Sequence, residues 1–421
     1  MTELDAISSG AKFVRADLHI HSFGEEGSFD VSDSTMTPEN IVDTAISKGL
    51  SIISITDHNE TLNVKRAIKH ADGKPILVIP GIEVSTTQGH LLVYFETFND
   101  LQNFRGKLNI SEDRERCSQG IVDCLNIAKV HNGIGILAHI DLSSGFEMTI
   151  GRFGPPIEDV IKHPNLLGIE ISKKSSVNFY TDEDDSPDRK KLFNLRKETL
   201  SLTKDYEIPK LMSSDSHTLI RLGTNAEGET KLTRIKVETL SFHSFRIALI
   251  SSNSRIRIEN FIPERIPKFL GLKIEGGLLD KQLIKFSDNL TCIIGGRGAG
   301  KSTLLESLRE TSGNTSISKV VDSDVWPEKI TLFYEDEAGQ IHTLTREKNS
   351  VVINPIDPIN GLLRVPIESY GQGETAETIQ HSDKNPQVLL DFLDSFIDIK
   401  SLKAEESEVR ELILQNQSEI N

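Results

Sequence analysis

From residue 13 to about 260, short apolar runs alternate with amphipathic stretches, the pattern of a domain in which strands and helices take turns. The first run, Phe13 to Ile20, feeds a polar loop. Thr37-Pro38-Glu39 then predicts an N-cap and the first two positions of a helix. Its apolar residues Ile41, Val42, Ala45 and Ile46 share one face, and it stops at Gly49. Further strands are expected in 50–58, 75–86, 90–95, 133–141, 166–172 and 210–217. Helices are expected through Val64, Ala67 and Ile68, and from a cap near Ser111 to Asn132-Gly133. Residues 231–260 predict a closing strand and helix, and Pro263 and Pro267 mark a domain boundary.

The polar residues that interrupt these runs fall at their C-terminal ends: His19 and His21, Asp57 and His58, Glu83, His139, Glu170, and Asp215 with His217. In a barrel of parallel strands those ends converge on one face, so residues far apart in sequence share a site. His19 and His21 are two apart on an extended segment and so point the same way.

Beyond the boundary the pattern changes. FLGLKIEGG, QLIKF and NLTCII are three apolar runs, the last leading into Gly295-Gly296-Arg297-Gly298-Ala299-Gly300-Lys301-Ser302 and then a helix through Leu304, Leu305 and Leu308. Residues 329–347 read as a hairpin about an acidic Gly turn. After SYGQGE the chain turns helical, and Leu402, Val409, Ile413 and Ile420 fit a heptad seam interrupted by Glu406 and Asn416. The expected division is a barrel with its closing segment over 1–262, a nucleotide-binding lobe over 263–395 and the start of a coiled coil over 396–421. The acidic stretch 180–191 reads as an exposed loop.

Composition narrows the function classes. With 63 acidic against 47 basic residues the net charge is −16, which disfavours indiscriminate binding of nucleic acid but leaves room for a local basic groove, such as Arg189, Lys190, Lys191, Arg196 and Lys197 on one helix. No apolar run approaches a membrane span and no signal-peptide pattern opens the chain, so a soluble cytoplasmic protein is expected. Three cysteines suit a reducing compartment. Cys117 and Cys124 are expected on one helix, too far apart along its axis to bridge.

Taken together, His19, His21, His58, Glu83, His90, His139, Asp215 and His217 supply six imidazoles and two carboxylates. That set suits Mn, Zn or Fe better than Mg or Ca, and it is too large for one ion, so two or three are implied. Glu83 is the natural bridging carboxylate. Such a centre would hold a hydroxide, here by Glu83, His90 and His139, for attack on phosphorus. Asp17 and Asp57 adjoin the histidines and would orient them from behind. Arg221 could hold a substrate phosphate.

The ordered motifs D-L-H-x-H-S (17–22), T-D-H (56–58), G-I-E (81–83), His90, A-H (138–139) and S-D-x-H (214–217) resemble the polymerase-and-histidinol-phosphatase (PHP) family. The resemblance implies a distorted seven-stranded (β/α)7 TIM-like barrel, a trinuclear site and phosphatase or nuclease activity. It also implies an acidic or histidine ligand soon after His21, for which Asp30 is favoured and Glu26 is second.

Residues 295–302 fit G-x-x-x-x-G-K-[ST] between an expected strand and an expected helix. Backbone N–H groups at Gly295, Gly298, Gly300, Ser302 and Thr303 would wrap the phosphates of ATP, Lys301 would reach the β and γ phosphates, and Ser302 would ligate Mg²⁺. With S-Y-G-Q-G-E ahead of a long helix, this half resembles the N-terminal lobe of an SMC-like ABC ATPase head. The resemblance gives Gln372 a role at Mg²⁺ and implies a homo-oligomer. Because that family completes its ATPase site after the coil, the chain as it stands is expected to hydrolyse ATP poorly and to be a piece of something longer. The combined expectation is an ATP-regulated nuclease, DNA favoured, resembling bacterial anti-phage proteins. The alternative is a phosphomonoesterase acting on nucleotides or small metabolites.

Overall fold

The computed structural model describes residues 2–259, 266–288, 290–314, 321–365, 367, 390, 402, 405–406 and 408–413. By contact density the chain forms two units, Ser8–Ile266 with Ser287–Leu290, and Met1–Ile7 with Pro267–Phe286 and Thr291–Asn421. The first seven residues therefore go with the second unit, not with the barrel over 1–262 as expected. Leu4 is buried there, directly over Gly271.

In the first unit, β1 (Lys12–Ile20), β2 (Ile52–Ile55) and β3 (Leu77–Val78) are parallel neighbours, with β9 (Thr233–Val237) and β10 (Ile256–Ile258) added antiparallel beyond β1. A second sheet runs β4 (Gly81–Thr86), β5 (Gly89–Tyr94), β6 (Ile134–Leu137), β7 (Leu166–Glu170), β8 (Lys210–Leu211). Two bridges, Ile20 to Ser216 and His58 to Glu83, join the C-terminal ends of β1 and β2 to the second sheet. Since β3 and β4 are one bent strand broken at Pro80, which has no N–H for a ladder, the closed ring has seven staves. Closure satisfies edges that would otherwise be exposed. The ring is distorted because β5 runs antiparallel to both its neighbours.

The helices follow the apolar periodicity. Thr37 accepts from Asn40 N and Pro38 takes the first turn of helix Pro38–Ser47, whose Ile41, Val42 and Ala45 are fully buried. Leu62–Ala71 lies as expected. The helix expected from Ser111 does not start there: Ser111 closes a turn onto Asp113 and Arg116, and the helix begins at Ile121. Cys117 consequently sits outside the helix, its Sγ 3.0 Å from Gln119 Oε1, and comes within reach of Cys124, correcting the expectation of one shared helix.

Stretch 180–191 is not an exposed loop. Tyr180 and Asp184 are buried, and Asp184 accepts from Tyr180 N, Ser186 N and Arg189 Nε ahead of helix Pro187–Thr199. The basic face expected on that helix is largely spent inside the fold. Buried Arg196 donates to the carbonyls of Ile161, His163 and Leu166, Arg189 pairs with Asp184 and Glu147, and Lys197 pairs with Asp182.

The second unit is an antiparallel sheet, β12 (Gln282–Lys285), β11 (Lys268–Glu275), β13 (Lys329–Glu335), β14 (Ile341–Glu347), in that order. The last two strands form the expected hairpin. Helix Lys301–Thr311 buries Leu304 against Leu272, Ile274, Leu332 and Leu344. Gly298 and Gly300 ahead of it take φ of 79° and 85°, a conformation only glycine adopts freely. The strand expected from NLTCII is absent: no described strand lies beside it to share a ladder, and Leu290 and Ile294 are 81% and 91% exposed. Gln372 and the seam residue Ile420 lie outside the described residues, while Leu402, Val409 and Ile413 are described and helical. Among the described residues no helix is long and apolar enough to cross a membrane.

Candidate functional site

The polar strand ends converge at one mouth of the ring. From β1, His19 and His21 bring their Nε2 atoms to 3.1 Å of each other, as the two-residue spacing predicts. β4 places Glu83 between the histidines. Its Oε2 lies 3.0 Å from His19 Nε2 and 3.3 Å from His21 Nε2 and His58 Nδ1; its Oε1 lies 2.9 Å from His90 Nδ1 and 3.1 Å from His139 Nε2. His90 reaches the same mouth because β5 is antiparallel: its residue 90 pairs with Ser85 at the C-terminal end of β4.

The remaining corner is closed from the loop after β8. Asp215 Oδ1 is 3.1 Å from His21 Nε2, and His217 Nε2 is 2.9 Å from Asp30 Oδ2, which is itself 3.5 Å from His58 Nε2. Of the two acids weighed in the loop after His21, Asp30 reaches the cluster while Glu26 is exposed. His139 and Asp215 hold φ of 24° and 49°, an uncommon conformation for residues with a Cβ, and such backbone concentrates at functional sites.

Buried charge dominates the electrostatics. Burial opposes the charged form of His19, but Glu83, Glu170 and Asp215 outweigh it and hold the ring well above its usual range. His21 is likewise raised against burial to about 10, through Asp215 and Glu83. Glu83 is buried too, yet His58 and His19 keep it far below the usual carboxylate range. Burial wins at His58, which is lowered.

The donor set fits divalent cations. His19 Nε2 and His21 Nε2 face both each other and one carboxylate oxygen, a geometry that protons on the rings cannot satisfy together, and buried His21 Nδ1 has no partner. Among the described residues three groups have ligand atoms close enough for an ion: His19, His21 and Asp215; His58, Glu83 and His90; and His21, Asp30, His58 and His217. Imidazole with carboxylate favours Mn, Zn or Fe.

The supporting residues are only partly those expected. Asp17 accepts from Ser214 N, Ser214 Oγ and Gly223 N, and Asp57 from Ser22 N and Ser22 Oγ, so each ties down a neighbouring segment and neither touches an imidazole. Burial lifts them to about 6 and about 7. The carboxylate directly behind the histidines is Glu170 at the end of β7. Its Oε2 is 2.9 Å from His19 Nδ1 and accepts from His139 N at 3.0 Å. Its strand-end position is the sequence signal that marks it. Ser85 Oγ, 3.0 Å from His58 Nδ1, and Asn59, which accepts from Ser85 N and donates to Arg114 O, had no such signal. Arg221 is exposed and lines a cleft of about 880 Å³ that opens beside Asp30, Asp215 and His217.

In the second unit Lys301 Nζ donates to Gly295 O and Gly296 O at 2.8 and 2.7 Å, so the expected loop and helix are present without the expected strand. Gly295, Gly298, Gly300, Ser302 and Thr303 lie together at the start of that helix.

The family model described as PHP domain matches residues 17–154, about a third of the chain. An uncharacterized protein of Methanocaldococcus jannaschii is 33% identical over 86 residues, 20% of this chain and 50% of its own length, so the match spans about half of that relative. Among solved structures, endonuclease Q in complex with a 27-mer duplex bearing an abasic lesion is 17% identical, with a TM-score of 0.43 over 73% of this chain and 81% of its own. The lesion-specific endonuclease of Pyrococcus furiosus is 19% identical, with a TM-score of 0.43 over 73% and 80%. A two-domain protein of Bacteroides vulgatus containing a predicted PHP-like metal-dependent phosphoesterase is 16% identical, with a TM-score of 0.40 over 80% and 96%. Glu170, Asp215 and His217 lie outside the 17–154 match and nonetheless join the same cluster.

Proposed function

We propose that this protein is a metal-dependent phosphoesterase that cleaves phosphodiester bonds of nucleic acid, DNA foremost, at the cluster around Glu83. The observation that carries the proposal is the gathering of five imidazoles about one buried carboxylate, with His217, Asp30 and Asp215 at its rim. His19, His21 and Asp215 would hold one ion; Glu83, His58, His90 and His139 a second; Asp30 and His217 the corner of a third. Such ions, when bound, polarise phosphoryl oxygen and make water a nucleophile near neutral pH.

The chain's own residues prepare that chemistry. Glu170 accepts the Nδ1 proton of His19 and thereby leaves Nε2 free as a ligand. The Asp215 carbonyl does the same for His217, 3.0 Å from its Nδ1. Glu83 offers one oxygen to each side of the cluster and so can be shared between ions. The open cleft beside His217 gives an extended substrate access to a site that is otherwise buried.

The second unit would bind ATP and Mg²⁺ through Gly295, Gly298, Gly300, Lys301, Ser302 and Thr303, with Gln372 contributing at the Mg²⁺. Lys301 would exchange its two loop carbonyls for phosphate oxygens. Nucleotide binding would govern cutting by a homo-oligomer, an arrangement suited to anti-phage defence. The test is an assay with Mn²⁺ on plasmid DNA, single-stranded RNA and a chromogenic monoester, comparing wild type with His19→Ala. Strand cleavage that His19→Ala abolishes is expected; monoester turnover with no strand cleavage would refute the nuclease reading.

A further inference from the structure

The 880 Å³ cleft beside the cluster is built as more than an entrance. One end is His217 with Asp30 and Asp215. Its walls carry four cationic side chains, Lys173, Lys174, Arg221 and Lys231, with the carboxylates of Glu227 and Glu229 on the same lining, in a protein whose net charge is −16. A polyanion approaching this chain is repelled over most of the surface, so a local cationic track is where it can be held.

Both cationic walls are fixed by bonds from elsewhere in the barrel. The Asp141 carboxylate, two residues past His139, accepts from Ser172 N and Lys173 N at 2.8 Å each, and Lys231 Nζ donates to Ser172 O at 2.9 Å. Opposite, Lys48 Nζ donates to Ile220 O and Leu222 O at 3.1 and 2.7 Å and so pins the turn that carries Arg221. The backbone on each side is therefore placed in advance, and only side-chain ends remain to be ordered by a ligand.

Three of the four charges are uncommitted. Lys231 lies 3.5 Å from Glu229, but Lys173, Lys174 and Arg221 form no ion pair among the described residues. Lysines on the helix 187–199 provide the contrast, since Lys197 pairs with Asp182. Asp30 and Asp215, the acids at the closed end, face histidines.

We infer that Lys173, Lys174 and Arg221 form a subsite for the phosphates flanking the scissile bond of a nucleic-acid strand, so that the cleft selects a polymer over a small phosphoester. The inference rests on the phosphodiesterase reading above and adds to it the residues that would set that preference. Backbone contacts of this kind hold and align a strand without reading its sequence.

The test is fluorescence anisotropy of labelled 20-nucleotide DNA and RNA strands with the full-length chain, chelator present so that nothing is cut, over a series of salt concentrations. Lys173→Glu/Lys174→Glu is expected to weaken binding at least tenfold and to lower the slope of log affinity against log salt by about 1.4, the value for two phosphate contacts on a single strand. Lys190→Glu/Lys191→Glu, the same charge change on the outer helix, serves as control and leaves both unchanged. A parallel loss for DNA and RNA is the signature of backbone contact; a loss confined to one would replace it with recognition of sugar or base. Wild-type affinity and slope in the Lys173/Lys174 variant, or a wild type that binds neither strand, would overturn the subsite. Strands that bind through these lysines but are not cut when Mn²⁺ is added would leave the subsite standing and refute the phosphodiesterase reading instead.

Discussion

Removing the charge of Glu170 while keeping its shape, as in Glu170→Gln, isolates what a carboxylate behind the histidines does. The residue is 2% exposed, and one oxygen serves both His19 Nδ1 at 2.9 Å and His139 N at 3.0 Å. A hydrogen bond to a charged acceptor is worth about 1.5–3 kcal/mol. The imidazole contact alone thus corresponds to about tenfold to a hundredfold in affinity at 1.4 kcal/mol per decade, the range typical of carboxylates that orient metal-ligating histidines. Because Gln can still accept from one donor, the expected loss for Glu170→Gln sits near the lower end, and Glu170→Ala, which also strands the His139 N–H, near the upper. Competition for Mn²⁺ or Zn²⁺ against a chromogenic chelator reads the affinity, and thermal melting in chelator separates it from a general loss of stability. Metal affinity equal to wild type in both variants would refute the assignment of Glu170 as the residue that orients His19.

Lys301→Ala is expected to reduce binding of a fluorescent ATP analogue at least tenfold, and unchanged binding would remove the nucleotide assignment from the second unit. Gly145→Ala would place a Cβ 2.6 Å from His139 O and 2.8 Å from Ile140 O, so urea unfolding should show a loss of about 1–3 kcal/mol, the usual cost of overpacking. Arg196→Ala removes the donor that the buried carbonyls of Ile161, His163 and Leu166 share, His163 O keeping another in the Leu166 N–H, and about 3 kcal/mol of stability should go with it; a change within 0.5 kcal/mol, about that of an ordinary surface substitution, would contradict the contacts. Lys210 is pushed down to about 8 by burial, with Glu207 and Asp184 opposing. Its unfolded form keeps the proton up to the ordinary 10.5, so the unfolded state binds more protons between pH 8 and 10.5 and this group makes stability rise with pH across that window. Lys210→Met should abolish that rise in denaturation midpoints measured from pH 7 to 10.5.

The barrel was legible because its strands are short, its helices are capped and its polar residues stand at strand ends. Thr37-Pro38 set the start of one helix, and the spacing of His19 and His21 set the first pair of candidate ligands. What sequence could not show was direction. β5 runs backwards, so His90 opens its strand where the other histidines close theirs. Nor could local pattern reveal long-range partners: Asn59 to Arg114 and Ser85 to His58 link residues 55 and 27 positions apart by single side chains. The charged pattern of 189–197 misled for the same reason, since Arg196 and Arg189 find their acceptors in other elements. The segment before Gly295 is apolar enough for a strand, but a strand also needs a neighbour, which periodicity along one chain does not report.

The proposed phosphoester chemistry depends on the cluster around Glu83 holding metal. Counting metal ions per chain by mass spectrometry, after reconstitution with Mn²⁺ or Zn²⁺ and removal of the excess, tests that dependence most directly. Two or three ions are expected in wild type and at least one fewer in His19→Ala; wild type with none, or the same count in both proteins, would contradict a metal centre at Glu83.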